Sequence, residues 1–373
     1  MIDGLEAVRL FEACGVRLFV GVPDSLMKGF CSALDSHKGA AQHLVAANEG
    51  AAVATAAGHY LATGSPAVVY MQNSGLGNAV NPLSSLASRR VYGIPMVLLI
   101  GWRGEPGVKD EPQHGHQGAI TIEQLDLLDV PTTVVGPEDD VAAVLEGAVA
   151  NAAGHDGPVA ILIRKGTFVS PASGESPAGF NRMDALRVIV GTLPEETAFV
   201  ATTGYTGREM ALIREERGES WQRDLLMIGS MGHASALSLG IARAIPDRIV
   251  CCLDGDGAVA MHLGSVAAIG ADSPSNFVHI VLNNGVHESV GGQPSALRSV
   301  DLPALAASAG YVSAAVVTDG HDLATALAKV QDGRSGPAMI DVRIVPGTVE
   351  GLPRPSDFKQ RANAMRAWLT GGG

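Results

Sequence analysis

Short, continuously apolar runs alternate along this chain with Ala-rich stretches of helical character, and that alternation restricts the fold more than any other feature. The runs 17–21, 66–71, 96–100, 132–135 and 158–164 have the length and the Val/Ile/Leu content of strands buried on both faces. Between them, 49–62, 81–88 and 139–153 read as helices. A second set of strands follows at 198–202, 248–253, 278–283 and 338–343. Repeated β-α-β order implies parallel strands joined by right-handed crossovers. The expectation is an α/β protein of two doubly wound parallel-sheet domains, 1–165 and 183–373. The Gly-, Ser- and Pro-rich segment 166–182 between them reads as a linker. The halves are also weakly alike: 49–86 and 232–266 each run from a small-residue helix through a strand and a Gly-rich turn into a new helix.

Composition excludes some partners. The formal net charge is −12, which argues against a nucleic-acid backbone or an anionic membrane, so an anionic ligand needs local cations. The first residues carry acids where a signal peptide carries Lys or Arg, and the longest strongly apolar run, 94–102, is too short to span a bilayer. Cys14, Cys31 and the pair Cys251–Cys252 have no metal-like spacing. A reducing cytoplasm is the expected location.

The strongest chemical signal is Gly255-Asp256-Gly257 followed, after residues 258–282, by Asn283-Asn284. A strand ends just before Asp256, which places its carboxylate at the carboxyl end of the sheet, where open α/β folds bind ligands. Gly255 and Gly257 let the backbone approach a phosphate, and the following helix directs its N-terminus at that anion. Asn284 closes the next strand. One carboxylate, one amide oxygen and a backbone carbonyl, completed by diphosphate oxygens, suit octahedral Mg²⁺.

This pair of motifs resembles the hallmark of the thiamine-diphosphate-dependent enzymes. The resemblance implies that Asp256, Asn284 and the carbonyl of Val286 hold Mg²⁺, and that Gly255, Gly257 and Ala258 meet the diphosphate. Thr203, in a Thr-Thr-Gly turn after 198–202, is expected to join them. In 229–234 (GSMGHA), Met231 matches the side chain that wedges the cofactor into its bent form, Gly229 supplies a carbonyl to the 4′-amino group, and Gly232 and His233 complete the stretch. Taken alone, Met231 also reads as core filler. Glu49 opens an Ala-rich helix; it matches the Glu that bonds the pyrimidine N1′, a task needing a buried carboxyl of raised pKa. Without the resemblance it reads as a first-turn acid complementing the helix dipole. Asn73, opening the turn after 66–71, is placed on the cofactor side as well. The resemblance assigns 1–165 to pyrimidine binding and 183–373 to diphosphate binding. It also implies a homodimer or higher homo-oligomer with the cofactor at the subunit interface.

Loop strings sharpen the resemblance: GVPDSL (21–26), MQNSGLGNAVNPL (71–83), WRGEPGVKDEPQH (102–114), ATTGYTGRE (201–209) and NNGVHESVGGQPS (283–295). They look like the compact two-domain members that decarboxylate 2-oxo acids bearing a phosphonate or a sulfonate, with 3-phosphonopyruvate the preferred expectation and phosphonate biosynthesis the implied context. Asp24 is the first acid–base candidate and His114 with His116 the second; Asp24 equally suits a turn cap. The polar segment 103–116 reads as a closing active-site loop. Ser25, Lys28, Arg103, Lys109 and His287 are the candidate substrate contacts. Tyr205 stands where a basic or polar residue is expected. The alternatives are a sulfopyruvate decarboxylase, a 2-oxo acid carboligase and a non-catalytic cofactor-binding subunit. A NAD-dependent dehydrogenase lacks its G-x-G-x-x-G opening.

Overall fold

The computed structural model describes residues 1–170, 177–333 and 336–371. It divides into two compact units, one of 1–173 with 287–294 and one of 174–286 with 295–373. In the first unit β1 (Leu18–Gly21), β2 (Gln42–Val45), β3 (Ala67–Gln72), β4 (Met96–Gly101), β5 (Thr132–Val135) and β6 (Pro158–Ile163) form one sheet in the order β2-β1-β3-β4-β6-β5. Every pairing is parallel. Side chains alternate between faces, so β3 sends Val68 and Tyr70 into one apolar layer and Val69 and Met71 into the other. Helices cover both layers, as a parallel sheet requires.

The second unit begins with β7 (Ala198–Ala201), β8 (Asp224–Leu226), β9 (Val250–Gly255) and β10 (Phe277–Asn283). A two-stranded ribbon, β11 (Val286–His287) and β12 (Gln293–Pro294), precedes β13 (Ser313–Val317) and β14 (Ala338–Arg343). Its parallel sheet runs β13-β14-β10-β9-β7-β8. Numbered within each unit and without the ribbon, the first sheet runs 2-1-3-4-6-5 and the second, read from its other edge, runs 2-1-3-4-6-5 as well. The α/β class and the two doubly wound sheets are those expected from the alternation.

Several details differ from expectation. The stretch read as one helix over 81–88 is a helix at Leu76–Asn81 followed by a wider π turn at Pro82–Leu86. Pro82 has no N–H to continue the ladder, and Ala87 N donates instead to Pro82 O, five residues back. Residues 103–116 are not one loop: a helix runs Pro112–Leu127, with Pro at its first position, so His114 and His116 ride its first turns. Thr167 and Phe168, placed in the linker by composition, are buried. Phe168 bridges to Ile2 and packs on the Phe30 ring at 5.5 Å. Linker residues 171–176 lie outside the described residues.

Candidate active site

In the first unit, Asn48 caps the helix Glu49–Thr63, its side chain accepting from Ala51 N at 2.8 Å. The cap fixes where the helix starts and therefore where Glu49 stands. Glu49 is 5% exposed, and Asn78 Nδ2 donates to its Oε2 at 2.7 Å. Gly75 lies so close that a Cβ there would stand 2.3 Å from Glu49 Oε1. Burial raises the Glu49 pKa, and the Asn78 amide offsets this only in part. This is a buried carboxyl of raised pKa, not a surface acid at a helix end.

Asp24 follows β1 and is fully buried. Its Oδ2 accepts from Leu26 N at 2.9 Å, while Oδ1 is buried with no hydrogen-bond partner among the described residues. Both readings of Asp24 therefore meet in one residue: one oxygen caps the turn Ser25–Met27 and the other is left over. Burial pushes its pKa up to about 6, against the lowering pull of the Leu26 N–H and of Arg103. Gly101, at the end of β4, admits the carboxyl; a Cβ there would lie 2.1 Å from Oδ2.

Arg103, a candidate substrate contact, has protein partners of its own. It forms a two-pronged pair with Asp110 (Nε–Oδ2 2.7 Å, Nη2–Oδ1 2.5 Å), and its Nη1 donates to Ser25 Oγ at 2.7 Å. Burial works against the Asp110 charge, but Arg103 and the N–H groups of Glu111 and Gly104 outweigh it and hold its pKa well below the usual range. The loop is thereby pinned rather than free. Asn73, expected to touch cofactor, is spent inside the protein: Nδ2 donates to Arg103 O at 2.8 Å and to Thr121 Oγ1 at 2.9 Å, and Oδ1 accepts from Arg103 N at 3.1 Å. It braces the same loop. His114 is half-buried, its pKa lowered by burial and by Arg103, whereas His116 is exposed. Lys28 is half-buried and Lys109 exposed. His287 is 9% exposed, and burial pulls its imidazole down to about 4. It is uncharged near neutrality and offers a hydrogen bond rather than a cation.

In the second unit, Thr203 follows β7 and its Oγ1 accepts from Gly229 N at 3.0 Å. This ties the Thr-Thr-Gly turn to 229–232, where Gly229, Ser230 and Gly232 all have positive φ. Within that tight turn Met231 is half-buried and His233 exposed, the His233 ring centroid lying 4.1 Å from that of His262. Tyr205 is a structural residue here: it packs on the core, with the Arg182 guanidinium 5.2 Å above its ring.

Asp256 starts the short helix Asp256–Met261 directly after β9, with Gly255 as its cap; Gly257 and Ala258 are buried in the first turn. Asp256 is 2% exposed, yet its Oδ2 has no hydrogen-bond partner among the described residues. Burial raises its pKa, opposed by the Ser295 hydroxyl and the Asn284 N–H. Asn284 Oδ1 accepts from Val286 N at 3.1 Å, and Gly285 turns between them with φ +71°. A buried carboxylate oxygen left over beside an amide and a backbone turn is what a divalent cation would satisfy. Asp256→Asn is expected to weaken Mg²⁺ binding at least ~10-fold, since it removes the one formal charge of the set. Titration calorimetry with unchanged affinity would refute this ligand set.

Three contacts escaped sequence reasoning. Asn78, Asp110 and Ser295 all lay in the quoted loop strings, but their partners Glu49, Arg103 and Asp256 are fixed only by the fold.

Comparison with known proteins identifies the family. Residues 6–127 match the N-terminal TPP binding domain of thiamine pyrophosphate enzymes, and 203–342 match the C-terminal TPP binding domain. The chain belongs to the thiamine pyrophosphate enzyme family, and its cofactor is thiamine diphosphate. It is 37% identical to a phosphonopyruvate decarboxylase of Streptomyces viridochromogenes, covering 99% of this chain and 96% of that protein. A phosphonopyruvate decarboxylase of Streptomyces hygroscopicus is 35% identical over 95% of this chain and 90% of its own length. A sulfopyruvate decarboxylase of Methanosarcina acetivorans is 27% identical, with 85% of each chain covered.

Proposed function

We propose that this protein is a carboxy-lyase that converts 3-phosphonopyruvate to phosphonoacetaldehyde and CO₂ with thiamine diphosphate and Mg²⁺. The observation that carries the chemistry is the buried carboxyl of Glu49, its pKa raised by burial and its Oε2 accepting from Asn78. The substrate follows from the two phosphonopyruvate decarboxylases matched over nearly the whole chain. Breaking the C1–C2 bond releases CO₂ and leaves an electron pair on C2, which must be protonated before the aldehyde leaves. Bound thiamine diphosphate supplies the sink for that pair. Glu49 holds a proton toward the cofactor ring, and Asp24, with a pKa of about 6, is suited to exchange one near neutrality. Asp256, the Asn284 side chain and the Val286 carbonyl would hold the metal, with Gly255, Gly257 and Ala258 beside the diphosphate. Met231, Gly229, Gly232, His233 and Thr203 would meet the remainder of the cofactor. Ser25, Lys28, Lys109, His114 and His287 would surround the substrate.

A homo-oligomer belongs to this reading. The helix carrying Glu49 leaves Ala51, Ala54, Thr55, Gly58 and Leu61 exposed, and Leu61 is 71% exposed. No described helix is long and apolar enough to cross a membrane. All four cysteines are free thiols, which supports a reducing compartment such as the cytoplasm.

The deciding test compares 3-phosphonopyruvate, sulfopyruvate, pyruvate and oxaloacetate, with aldehyde release coupled to NADH oxidation. The expected result is a kcat/KM for 3-phosphonopyruvate at least ~10-fold above each of the others. A preference for sulfopyruvate would establish the second reading, which the Methanosarcina acetivorans relative favours. A preference for pyruvate, or carbon–carbon bond formation in place of aldehyde release, would overturn both.

A further inference from the structure

Behind the proposed metal-binding turn, one apolar layer of the second sheet contains a polar island. Cys252 and Asp254 are two residues apart on β9 and face the same side, and the sheet register sets His279 of β10 opposite Cys252. Cys252, Asp254 and His279 are each 0% exposed, and Tyr311 is 5% exposed. Sulfur, carboxylate oxygen and imidazole nitrogen lie within 4.8 Å of one another, a set that could attract a metal ion. The hydrogen bonds argue otherwise. His279 Nδ1 meets the Tyr311 hydroxyl at 3.1 Å, His279 Nε2 meets Asp254 Oδ2 at 3.4 Å, and Asp254 Oδ1 accepts from Gly255 N at 3.1 Å. The carboxylate and the ring already have protein partners, and a metal would have to break them.

A carboxylate in an apolar layer is costly to keep unless it is well partnered. What Asp254 reaches is the N–H of Gly255, in the Asp254–Gly255 peptide at the end of β9, one residue before Asp256. We propose that Tyr311, His279 and Asp254 form a chain of positioning residues that fixes this peptide, so that Asp256 is aimed at the metal before any ligand arrives. Outer-shell partners of this kind commonly change metal affinity 10- to 100-fold when removed. The inference rests on the cofactor reading above.

The test uses the full chain, with Mg²⁺ titrated in the presence of thiamine diphosphate by calorimetry and steady-state rates measured against Mg²⁺ concentration. Asp254→Asn keeps the shape and weakens the acceptor. Tyr311→Phe removes only a hydroxyl and decides the matter if Asp254→Asn does not fold. Ser238→Ala is the control: its hydroxyl touches Cys252 and Ala234 O without reaching Asp254 or His279. The expected result for Asp254→Asn is a ~10- to 100-fold loss of Mg²⁺ affinity with kcat at saturating Mg²⁺ held within about twofold. Tyr311→Phe should shift in the same direction by a smaller factor, and Ser238→Ala should not shift. Unchanged affinity in Asp254→Asn or, where that variant does not fold, in Tyr311→Phe, or an equal loss in Ser238→Ala, would overturn the inference. Failure of the unsubstituted protein to bind cofactor at all would overturn the cofactor reading and this inference together.

Discussion

Replacing Glu49 by Ala is expected to lower kcat/KM for decarboxylation by about 10²- to 10⁴-fold, the range typical of a positioned proton-transfer group. The expectation rests on the surroundings of the carboxyl. A first-turn glutamate serving only the helix dipole is exposed and contributes a fraction of a kcal/mol. Glu49 is 5% exposed, bonded by Asn78 and closed in by Gly75. Its burial must be compensated by something, and a partner that takes a hydrogen bond from the protonated form would do so. The Ala variant should keep its Mg²⁺-dependent affinity for the diphosphate, because the Asp256 and Asn284 residues proposed to hold that end are untouched. Rates and calorimetry on the same sample separate the two effects. A Glu49→Ala enzyme with full turnover would remove the basis of the proposed proton-holding role.

How far the fold could be read in advance follows from burial. Strands covered on both faces, such as β3 and β4, are continuous apolar runs and announce themselves. β2, β8 and β13 were not recognisable, and all three are edge strands. β2 reads Gln-His-Leu-Val with alternating exposure, and β13 is half-exposed. The ends of strands were legible because a Gly-rich turn follows each of β3, β7 and β9, which located Asn73, Thr203 and Asp256 relative to the sheets. Side-chain pairing was not. Arg103 looked like a substrate cation because nothing in the sequence shows Asp110 folding back onto it across seven residues. Asn73 looked available to cofactor because its bonds to Arg103 and Thr121 span long sequence separations. Local pattern determines where a residue sits on its element, while the partner it meets there depends on the whole topology.

Asp24→Asn is expected to produce an enzyme that is slower yet more stable at neutral pH. The ordinary carboxyl value is 3.8, and in the folded protein burial raises Asp24 to about 6. The folded state therefore binds the proton more tightly than the unfolded chain does. Stability from this group is fully present below pH ~4 and is lost as pH rises through about 6. At pH 7 the loss is complete and amounts to at most about 3 kcal/mol. An amide has no charge to desolvate, and its oxygen can still accept from Leu26 N, so the Asp24→Asn variant should recover much of that loss. Denaturant unfolding of both proteins between pH 5 and 8 would show the gap widening with pH. Over the same range kcat/KM for 3-phosphonopyruvate should fall by about 10²- to 10⁴-fold in the variant, the loss expected when an acid–base group is removed. A variant that is less stable at pH 7, or stability curves that run parallel between pH 5 and 8, would mean that Asp24 is ionised across that whole range and held by a partner in the fold. The proton would then have to come from His114, the half-buried imidazole near the start of the helix Pro112–Leu127, and the pH profile of kcat would follow an imidazole instead.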